Sequence, residues 1–250
     1  MKTLFQKLGP VLLLAVFAAC GREPVRMRRL PARMLWAWES PQDLRFLRQG
    51  EGVAFLAGEL HLELGGARWV PRRNPLRVNP GSPLLAVLRV ESQGAPLTAA
   101  QSQALIERAS GLLSLPQVRG LQIDFDARES ERAFYAGALK GLRSRLPEGT
   151  PLSITALASW CLEDDWLSQA GLFGVVDEAV PMLFRMGPEA LSIRRRLGHG
   201  GTFREPLSRF SAGVSTDEPL PPLSRGRRVY AFHPGSWTAE AWAQISRELP

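Results

Sequence analysis

One run of strand-forming residues ends in two aspartates: Val118-Arg119-Gly120-Leu121-Gln122-Ile123-Asp124-Phe125-Asp126. Within it, apolar and polar residues alternate from Leu121 onward. Because the side chains of a strand point alternately to its two faces, the pattern predicts that Gln122, Asp124 and Asp126 share one face. Segments with helical periodicity lie on both sides of the run, which is typical of a parallel strand covered by helices. In such folds, ligands bind at the carboxyl ends of the strands, where these aspartates lie.

Strand and helix patterns alternate over the rest of the chain as well. The sequence predicts eight strands, which begin near Met34, Gly52, Pro83, Val118, Leu152, Ala179, Ser208 and Arg228. Ser40-Pro41-Gln42-Asp43 is predicted to start a helix after the first strand, and Thr98 with Gln101 forms a capping box before another. Eight strands with intervening helices in this length predict a single (β/α)8 barrel of the TIM type, an α/β fold.

Two further features refine this prediction. The segments His61-Leu62-Glu63-Leu64 and Arg68-Trp69-Val70 flank Gly65-Gly66, which predicts a small hairpin inserted after the second strand. The alternative architecture is an open doubly wound sheet. No glycine-rich phosphate loop follows the first strand, which weakens that alternative and predicts that no nucleotide cofactor is bound.

The N-terminal region has the pattern of an export signal. Lys2 and Lys7 flank a short apolar run that is too short to span a bilayer and ends in Phe17-Ala18-Ala19-Cys20-Gly21. This ending resembles the lipobox of bacterial lipoproteins, in which the cysteine receives lipid. The resemblance implies a signal peptide over residues 1–19, a tether over 20–32 and a barrel over 33–250. The alternative is a plain secretory signal with an incidental cysteine.

If Cys20 carries lipid, it anchors the protein to a membrane without a spanning helix. Gly21 rather than aspartate after the cysteine is compatible with sorting to the outer membrane, by resemblance to other lipoproteins. We therefore expect a lipid-anchored protein of the bacterial cell envelope, in the outer membrane and facing the periplasm. A predicted export signal argues against a nucleic-acid partner, although the formal net charge is +7. The arginines are interpreted as solvated surface residues, with attraction to anionic lipids as the alternative.

Several kinds of chemistry have little support in the sequence. Cys161 is the one cysteine besides Cys20, so a mature chain lipidated at Cys20 has no partner for an internal disulfide. No Cys/His motif surrounds Cys161, which favours a small buried side chain over a nucleophile. No cluster has the spacing of metal ligands, and Glu163-Asp164-Asp165 lacks the pattern of a calcium loop. We expect neither a metal nor another cofactor.

The predicted fourth strand resembles that of the chitinase-like barrels of glycoside hydrolase family eighteen. That family carries the motif Asp-Gly-x-Asp-x-Asp-x-Glu, and here Gly120 matches its glycine and Asp124 its last aspartate. Asp126 occupies the position of the family's proton-donating glutamate, while Arg119 and Gln122 replace its first two aspartates. The whole chain also resembles a bacterial family of envelope proteins described as a domain of unknown function. Both resemblances imply a glycosidase-like barrel.

Glycoside hydrolysis needs an acid that protonates the leaving oxygen and a second group that stabilises the positive charge. Carboxylates two residues apart on one strand face lie about 6.5–7 Å apart along the backbone and can couple, so one stays protonated near neutral pH. Asp126 is therefore predicted to be the general acid, Asp124 its partner and Gln122 a contact deeper in the barrel. Aspartate is one methylene shorter than the family's glutamate.

The sixth strand departs further from the family pattern. Where the resemblance implies Met-x-Tyr-Asp, this chain has Met182-Leu183-Phe184-Arg185. The change removes the hydroxyl that holds an acetamido group, and Arg185 would suit an anionic group such as a uronate. Glu39 and Trp160 follow other predicted strands and are further candidates for substrate binding. The predicted function is a glycoside hydrolase of envelope polysaccharide; the alternatives are a non-catalytic carbohydrate-binding barrel and an envelope scaffold.

Overall fold

A closed barrel of eight parallel strands forms the centre of the molecule. The computed structural model describes residues 23–94 and 96–249. The strands are β1 (Arg33–Ala37), β2 (Glu51–Glu63), β3 (Leu84–Ser92), β4 (Val118–Asp124), β5 (Leu152–Leu157), β6 (Glu178–Met182), β7 (Ser211–Ser215) and β8 (Arg228–Phe232). Each pairs in parallel with its neighbours, and β1 pairs with both β2 and β8, which closes the barrel. The predicted (β/α)8 fold is confirmed.

The side chains of each strand point alternately outward and inward, which produces one apolar layer outside the barrel and another inside it. Leu35 on β1 and Leu121 and Ile123 on β4 point outward and pack between the barrel and its helices. Met34 and Trp36, the neighbours of Leu35, point inward and pack inside the barrel. A parallel barrel covered by helices buries both faces of its strands, so both layers are needed. The polar face of β4 consequently points into the barrel.

Helices cover the barrel unevenly. The α-helices are α1 (Ala99–Gly111), α2 (Arg132–Arg145), α3 (Ala158–Leu162), α4 (Trp166–Gln169), α5 (Ala190–Gly198) and α6 (Ala239–Glu248). Thr98 and Gln101 form the predicted capping box at the start of α1. Thr238 accepts a hydrogen bond from the backbone N–H of Ala241 at the start of α6. No helix among the described residues is long and apolar enough to cross a membrane.

The predicted helix after β1 is wrong. Gln42–Asp43 instead forms a short strand that pairs in parallel with Leu76–Arg77. The guanidinium of Arg72 donates hydrogen bonds to the carbonyls of Ala37, Trp38 and Ser40, and so holds the chain in a non-helical path. Capping signals describe local preference only, and here contacts from a distant segment override them.

The predicted hairpin after the second strand is confirmed. The extended end of β2 pairs in antiparallel fashion with the strand Gly66–Pro71, and Glu63 faces Gly66 at the turn. Gly65 at the tip has a φ of +86°, a backbone conformation that favours glycine. The hairpin takes the place of a crossover helix between β2 and β3.

The described part of the segment before β1, residues 23–32, is folded against the barrel, so it is not the free tether that was predicted over residues 20–32. Val25–Arg29 forms a 3-10 helix, and Met27 is fully buried inside the amino end of the barrel with Leu30 nearby. Arg228, at the start of β8, donates hydrogen bonds to the carbonyls of Met27, Leu30 and Pro31. Two apolar residues in a basic stretch thus close the bottom of the barrel. The predicted signal peptide, residues 1–19, and Cys20 lie outside the described residues.

Candidate functional site

An open cleft with a volume of about 420 Å³ lies at the carboxyl ends of β1, β3, β4, β5, β6 and β8. Part of its lining is aromatic and consists of Trp36, Trp38, Phe184 and Phe232. The rings of Phe184 and Phe232 are stacked with their centroids 5.5 Å apart, and Trp38 meets Phe232 edge-on at 6.4 Å. Aromatic surfaces with a few polar groups beside them are typical of ligand sites.

Asp124 is the buried carboxylate of the cleft. It ends β4, is 5% exposed, and accepts a hydrogen bond of 2.6 Å from the hydroxyl of Thr155 on β5. The guanidinium of Arg89 on β3 lies 3.1 Å from its other oxygen. Burial raises the pKa of Asp124 above the ordinary value, although Arg89 and the Thr155 hydroxyl act in the opposite direction. Neighbouring strands therefore fix the position of this carboxyl group.

Asp126 follows β4 and faces the cleft. Its side chain is exposed there, and among the described residues it makes neither a salt bridge nor a hydrogen bond. Desolvation by the surrounding protein raises its pKa, and the negative charges of Asp124 and Glu91 raise it further, against a lowering by Arg89. A reachable carboxyl group that holds its proton more strongly than usual has the properties of a general acid.

Gly120 allows β4 to approach its neighbour closely. A Cβ atom at this position would lie 2.8 Å from the Cβ of Pro151 and 3.1 Å from Leu85. The next residue, Leu121, donates a backbone hydrogen bond of 3.0 Å to the carbonyl of Pro151. Close packing near the start of β4 therefore explains why this position is a glycine. Asp124 lies at the other end of the same strand, in the cleft.

The structure places Gln122 outside the cleft lining, which argues against its predicted role as a substrate contact. It is fully buried within the barrel. Its amide oxygen accepts a hydrogen bond of 2.7 Å from the indole of Trp36, and its amide nitrogen donates one of 3.0 Å to Ser153. Ser153 in turn donates to Glu178 at 3.0 Å. Gln122 is therefore part of an internal hydrogen-bond network.

Glu39 and Trp160 are likewise not among the residues that line the cleft. Glu39 is exposed beyond β1, and its carbonyl accepts a hydrogen bond from Asn74. Trp160 is 4% exposed and packs edge-on against Trp166 with ring centroids 5.1 Å apart. The expectation that these two residues bind substrate does not fit their positions, because Glu39 is exposed outside the cleft lining and Trp160 is buried in the core.

Arg185 lines the cleft together with Phe184, and its role in substrate binding stays a prediction. Its φ is +51°, an unusual value for a residue other than glycine. Its backbone N–H donates a hydrogen bond of 2.7 Å to Glu218, and its guanidinium lies 5.0 Å from the centre of the Phe232 ring. The exposed guanidinium is therefore held at the cleft, where it could contact an anionic group.

Sequence reasoning missed several residues of the cleft. Trp36 lies in β1 and Trp38 directly follows it. Because the two are two residues apart, the sequence could have predicted that their side chains share one face of the strand. Phe232 ends β8 as Phe184 follows β6, so aromatic residues at strand ends were an available signal. Arg89 and Thr155 could not have been found, because their roles depend on contacts between strands.

Other chemistry finds no support in the described part of the chain. Cys161 is buried, and burial raises the pKa of its thiol to about 12, despite a hydrogen bond from Ser208. The thiolate needed for nucleophilic attack is therefore strongly disfavoured. No group of three or more metal-binding side chains is found within residues 23–94 and 96–249.

Comparison with known proteins gives a family match over part of the chain. Residues 80–186 match the model of the family described as "Domain of unknown function (DUF3142)". This segment contains β3 to β6, and with them Asp124 and Asp126. No curated protein matches the chain.

Among solved structures, the chain is similar to a family GH18 chitinase from Chromobacterium violaceum, with a TM-score of 0.51, 11% identity, and coverage of 86% of this chain and 82% of that one. The spore cortex-lytic enzyme SleL of Bacillus cereus matches at 15% identity and a TM-score of 0.45, over 78% of this chain and 54% of that one. The chitinase domain of the spore coat protein CotE from Clostridium difficile matches at 12% identity and a TM-score of 0.44, over 82% of this chain and 68% of that one.

At these identities the comparison establishes the fold alone. The protein is a (β/α)8 barrel with the fold of a family GH18 chitinase. Its segment from β3 to β6 matches the model of a domain of unknown function.

Proposed function

We propose that the protein is a glycoside-hydrolase-like barrel that binds a polysaccharide in the cleft and cleaves it with Asp126 as general acid. One observation carries the proposal: Asp124 and Asp126 open into the same cleft, beside an aromatic surface. Carbohydrate ligands combine flat apolar faces with many hydroxyl groups, which suits a cleft with both features. The shared barrel fold with a chitinase makes this class of ligand plausible.

In the proposed reaction, Asp126 donates its proton to the oxygen of the scissile glycosidic bond, and the bond between that oxygen and the anomeric carbon breaks. A water molecule then adds to the anomeric carbon and returns a proton to Asp126. Asp124 has two roles: its negative charge helps to keep Asp126 protonated, and it stabilises positive charge that develops on the sugar. Arg89 and Thr155 hold Asp124 in place, so its carboxyl group need not reorganise during the reaction. Arg185 lies where it could contact a carboxylate or other anionic group of the polymer.

A non-catalytic carbohydrate-binding barrel is the second candidate. The observation that favours it is the ion pair between Arg89 and Asp124, which neutralises part of the charge that would stabilise the reaction. The short side chain of Asp126 also favours the non-catalytic candidate, because the displacement of a catalytic acid by about 1 Å can lower the rate on the order of a hundredfold. Both candidates share the ligand and differ in turnover.

A binding experiment tests the ligand that both candidates share. The purified full-length protein is titrated with a panel of polysaccharides and oligosaccharides by calorimetry, and reducing ends are measured in parallel. We expect at least one glycan to bind, and we expect Trp38→Ala to weaken that binding about tenfold or more, because an aromatic contact at the centre of a site commonly dominates affinity.

Trp69→Ala is the matched control, since Trp69 is half-buried on the hairpin strand and is not part of the cleft lining. Its affinity should equal that of the wild type. The proposal fails if no glycan binds, or if Trp38→Ala and Trp69→Ala weaken binding to the same extent.

For location, we propose a lipid on Cys20 at the cell envelope, as the lipobox resemblance implies. Glu23 pairs with Arg228 at the amino end of the barrel, 2.6 Å apart, and Cys20 is three residues away, or at most about 11 Å of extended chain. The lipid would hold the amino end of the barrel towards the membrane, with the cleft on the opposite end. Labelled fatty acid should enter the wild type but not Cys20→Ser; equal labelling of the two would refute the anchor.

A further inference from the structure

The amino end of the barrel carries exposed positive charge. The segments that precede or begin the strands lie together at this end, because all eight strands of the barrel run in parallel. Six arginines on these segments are exposed and form no salt bridge among the described residues: Arg28, Arg29, Arg119, Arg145, Arg209 and Arg225. Glu148 is an exposed acid on the same segments. Asp177, before β6, is buried and pairs at 3.0 Å with Arg26 from the segment before β1.

Further contacts join these segments into one surface. The guanidinium of Arg29, before β1, lies against the backbone of Gly149, before β5. Arg119, at the start of β4, donates a hydrogen bond of 3.4 Å to the carbonyl of Gly81, before β3. The arginines are therefore neighbours on one end of the molecule rather than scattered charges.

Apolar side chains are exposed at the same end. Among the described residues, five large hydrophobic side chains are exposed, and three of them precede strands: Val25 at 74%, Leu115 at 38% and Phe173 at 69%. We call these three residues and the six arginines the amino-end surface. Arginines beside protruding apolar side chains are typical of a surface that enters the boundary between lipid headgroups and acyl chains. A nucleic acid would contact the arginines but has no apolar layer for the other three side chains.

The opposite end of the barrel carries exposed acids. Glu39 follows β1, Asp126 follows β4 and Asp217 follows β7, and all three are exposed. A negatively charged surface attracts the arginines at one end of the barrel and repels the acids at the other. The charge distribution therefore favours one orientation, in which the amino end faces such a surface and the cleft faces away from it.

We propose that the amino-end surface docks the barrel on a membrane that contains anionic phospholipids, with its arginines on the headgroup phosphates and its apolar side chains between the headgroups. The position of the proposed lipid agrees with this orientation, because Cys20 precedes Glu23 by three residues and Glu23 pairs with Arg228 at the amino end. The inference goes beyond the proposed function. It gives the folded barrel a membrane contact of its own, whether or not Cys20 carries lipid.

A vesicle assay on the full-length protein with Cys20→Ser, which removes the lipidation site, tests this contact. Cosedimentation is measured with vesicles of phosphatidylcholine and with vesicles that also contain phosphatidylglycerol. We expect at least about tenfold tighter binding to the anionic vesicles, because each arginine near such a surface contributes about fivefold. The preference should fall as the salt concentration rises. Residues 1–22 are otherwise the same in every variant, so differences between variants report on the folded barrel.

A triple variant tests whether the arginines of the amino-end surface make the contact. It replaces three of them by glutamine: Arg28→Gln, Arg29→Gln and Arg225→Gln. The matched control changes the net charge equally and replaces three exposed arginines at the cleft end that form no salt bridge within the described ranges: Arg73→Gln, Arg128→Gln and Arg195→Gln. The first variant should bind anionic vesicles at least about tenfold more weakly, and the control should bind them with unchanged affinity. If the first variant fails to fold, Arg119→Gln with Arg145→Gln replaces it.

A second pair of variants distinguishes a membrane from other polyanions. Phe173→Ser should weaken binding to anionic vesicles at least about threefold, because a phenylalanine that enters the interface loses contact with water. Leu191→Ser is its control, since Leu191 is 70% exposed on α5, whose other residue Ile193 lines the cleft. It should have no effect on vesicle binding.

Four results would overturn the inference: no binding to either kind of vesicle, equal binding to both kinds, equal losses in the two arginine variants, or an unchanged affinity of Phe173→Ser. Glycan binding in the cleft should be retained in all of these variants, because the cleft lies at the opposite end of the barrel. Failure of membrane docking would therefore leave the proposed function standing.

Discussion

Asp126→Asn is expected to lower kcat by about 10²–10⁴-fold on any glycan that the protein cleaves, because general acid catalysis contributes a factor of that size. Binding should change little, since the asparagine keeps the size of the side chain and Asp126 has no described hydrogen-bond partner to lose. Steady-state kinetics and calorimetry of the two proteins measure these effects separately. Glu189→Gln serves as the control, as it removes another carboxyl group from the lining of the cleft.

The pH profile adds a second readout of the same role. Because the pKa of Asp126 is raised, the protonated, active form should persist above the pH at which an ordinary aspartic acid ionises, and kcat/KM should fall as pH rises through that raised value. Asp124→Asn removes one of the charges that raise the pKa, so the fall should move to lower pH. A fall at an unchanged pH in that variant would contradict the proposed coupling.

Arg228→Met is expected to lower the free energy of unfolding by about 3–5 kcal/mol, the usual cost of removing one partner of a buried ion pair. Arg228 is 3% exposed, and its guanidinium lies 3.2 Å from Glu178 and 2.6 Å from Glu23. Without it, Glu178 stays buried without its cation, and three backbone carbonyls of the segment before β1 lose their donor.

Chemical denaturation of the two proteins measures this loss. Arg145→Met is the matched control, because Arg145 is exposed at the end of α2 and makes no salt bridge within the described ranges. Its effect should stay within about 0.5 kcal/mol. A similar loss in both variants would show that the buried network does not anchor the N-terminal segment.

The barrel was predictable because short, mostly apolar runs of strand-forming residues alternate along the chain with segments of helical periodicity. β4 is the clearest example, as Leu121 and Ile123 face the helices while Gln122 and Asp124 face the interior. The prediction failed where a distant partner decides the conformation. Gln42–Asp43 forms a strand because Leu76–Arg77 pairs with it, and no local signal at residue 40 reports that partner.

The candidate site was predictable in part, at the ends of two strands. Asp124 and Asp126 were identified from the alternation along β4 and Arg185 from the resemblance of the sixth strand, and all three line the cleft. Trp160 has the same kind of place in the sequence but is packed in the core. Arg89 is brought to Asp124 by the register between β3 and β4, which the sequence does not reveal.

The most direct test of the central claim is a crystal structure of Asp126→Asn with a glycan that the wild type cleaves. The account predicts a sugar chain in the cleft, packed against the aromatic wall near Trp38. It also predicts the oxygen of a glycosidic bond about 2.6–3.2 Å from the side chain of residue 126, the range required for proton transfer. A glycan bound elsewhere on the protein, or one in the cleft with no glycosidic oxygen near residue 126, would contradict the assignment of Asp126 as the acid.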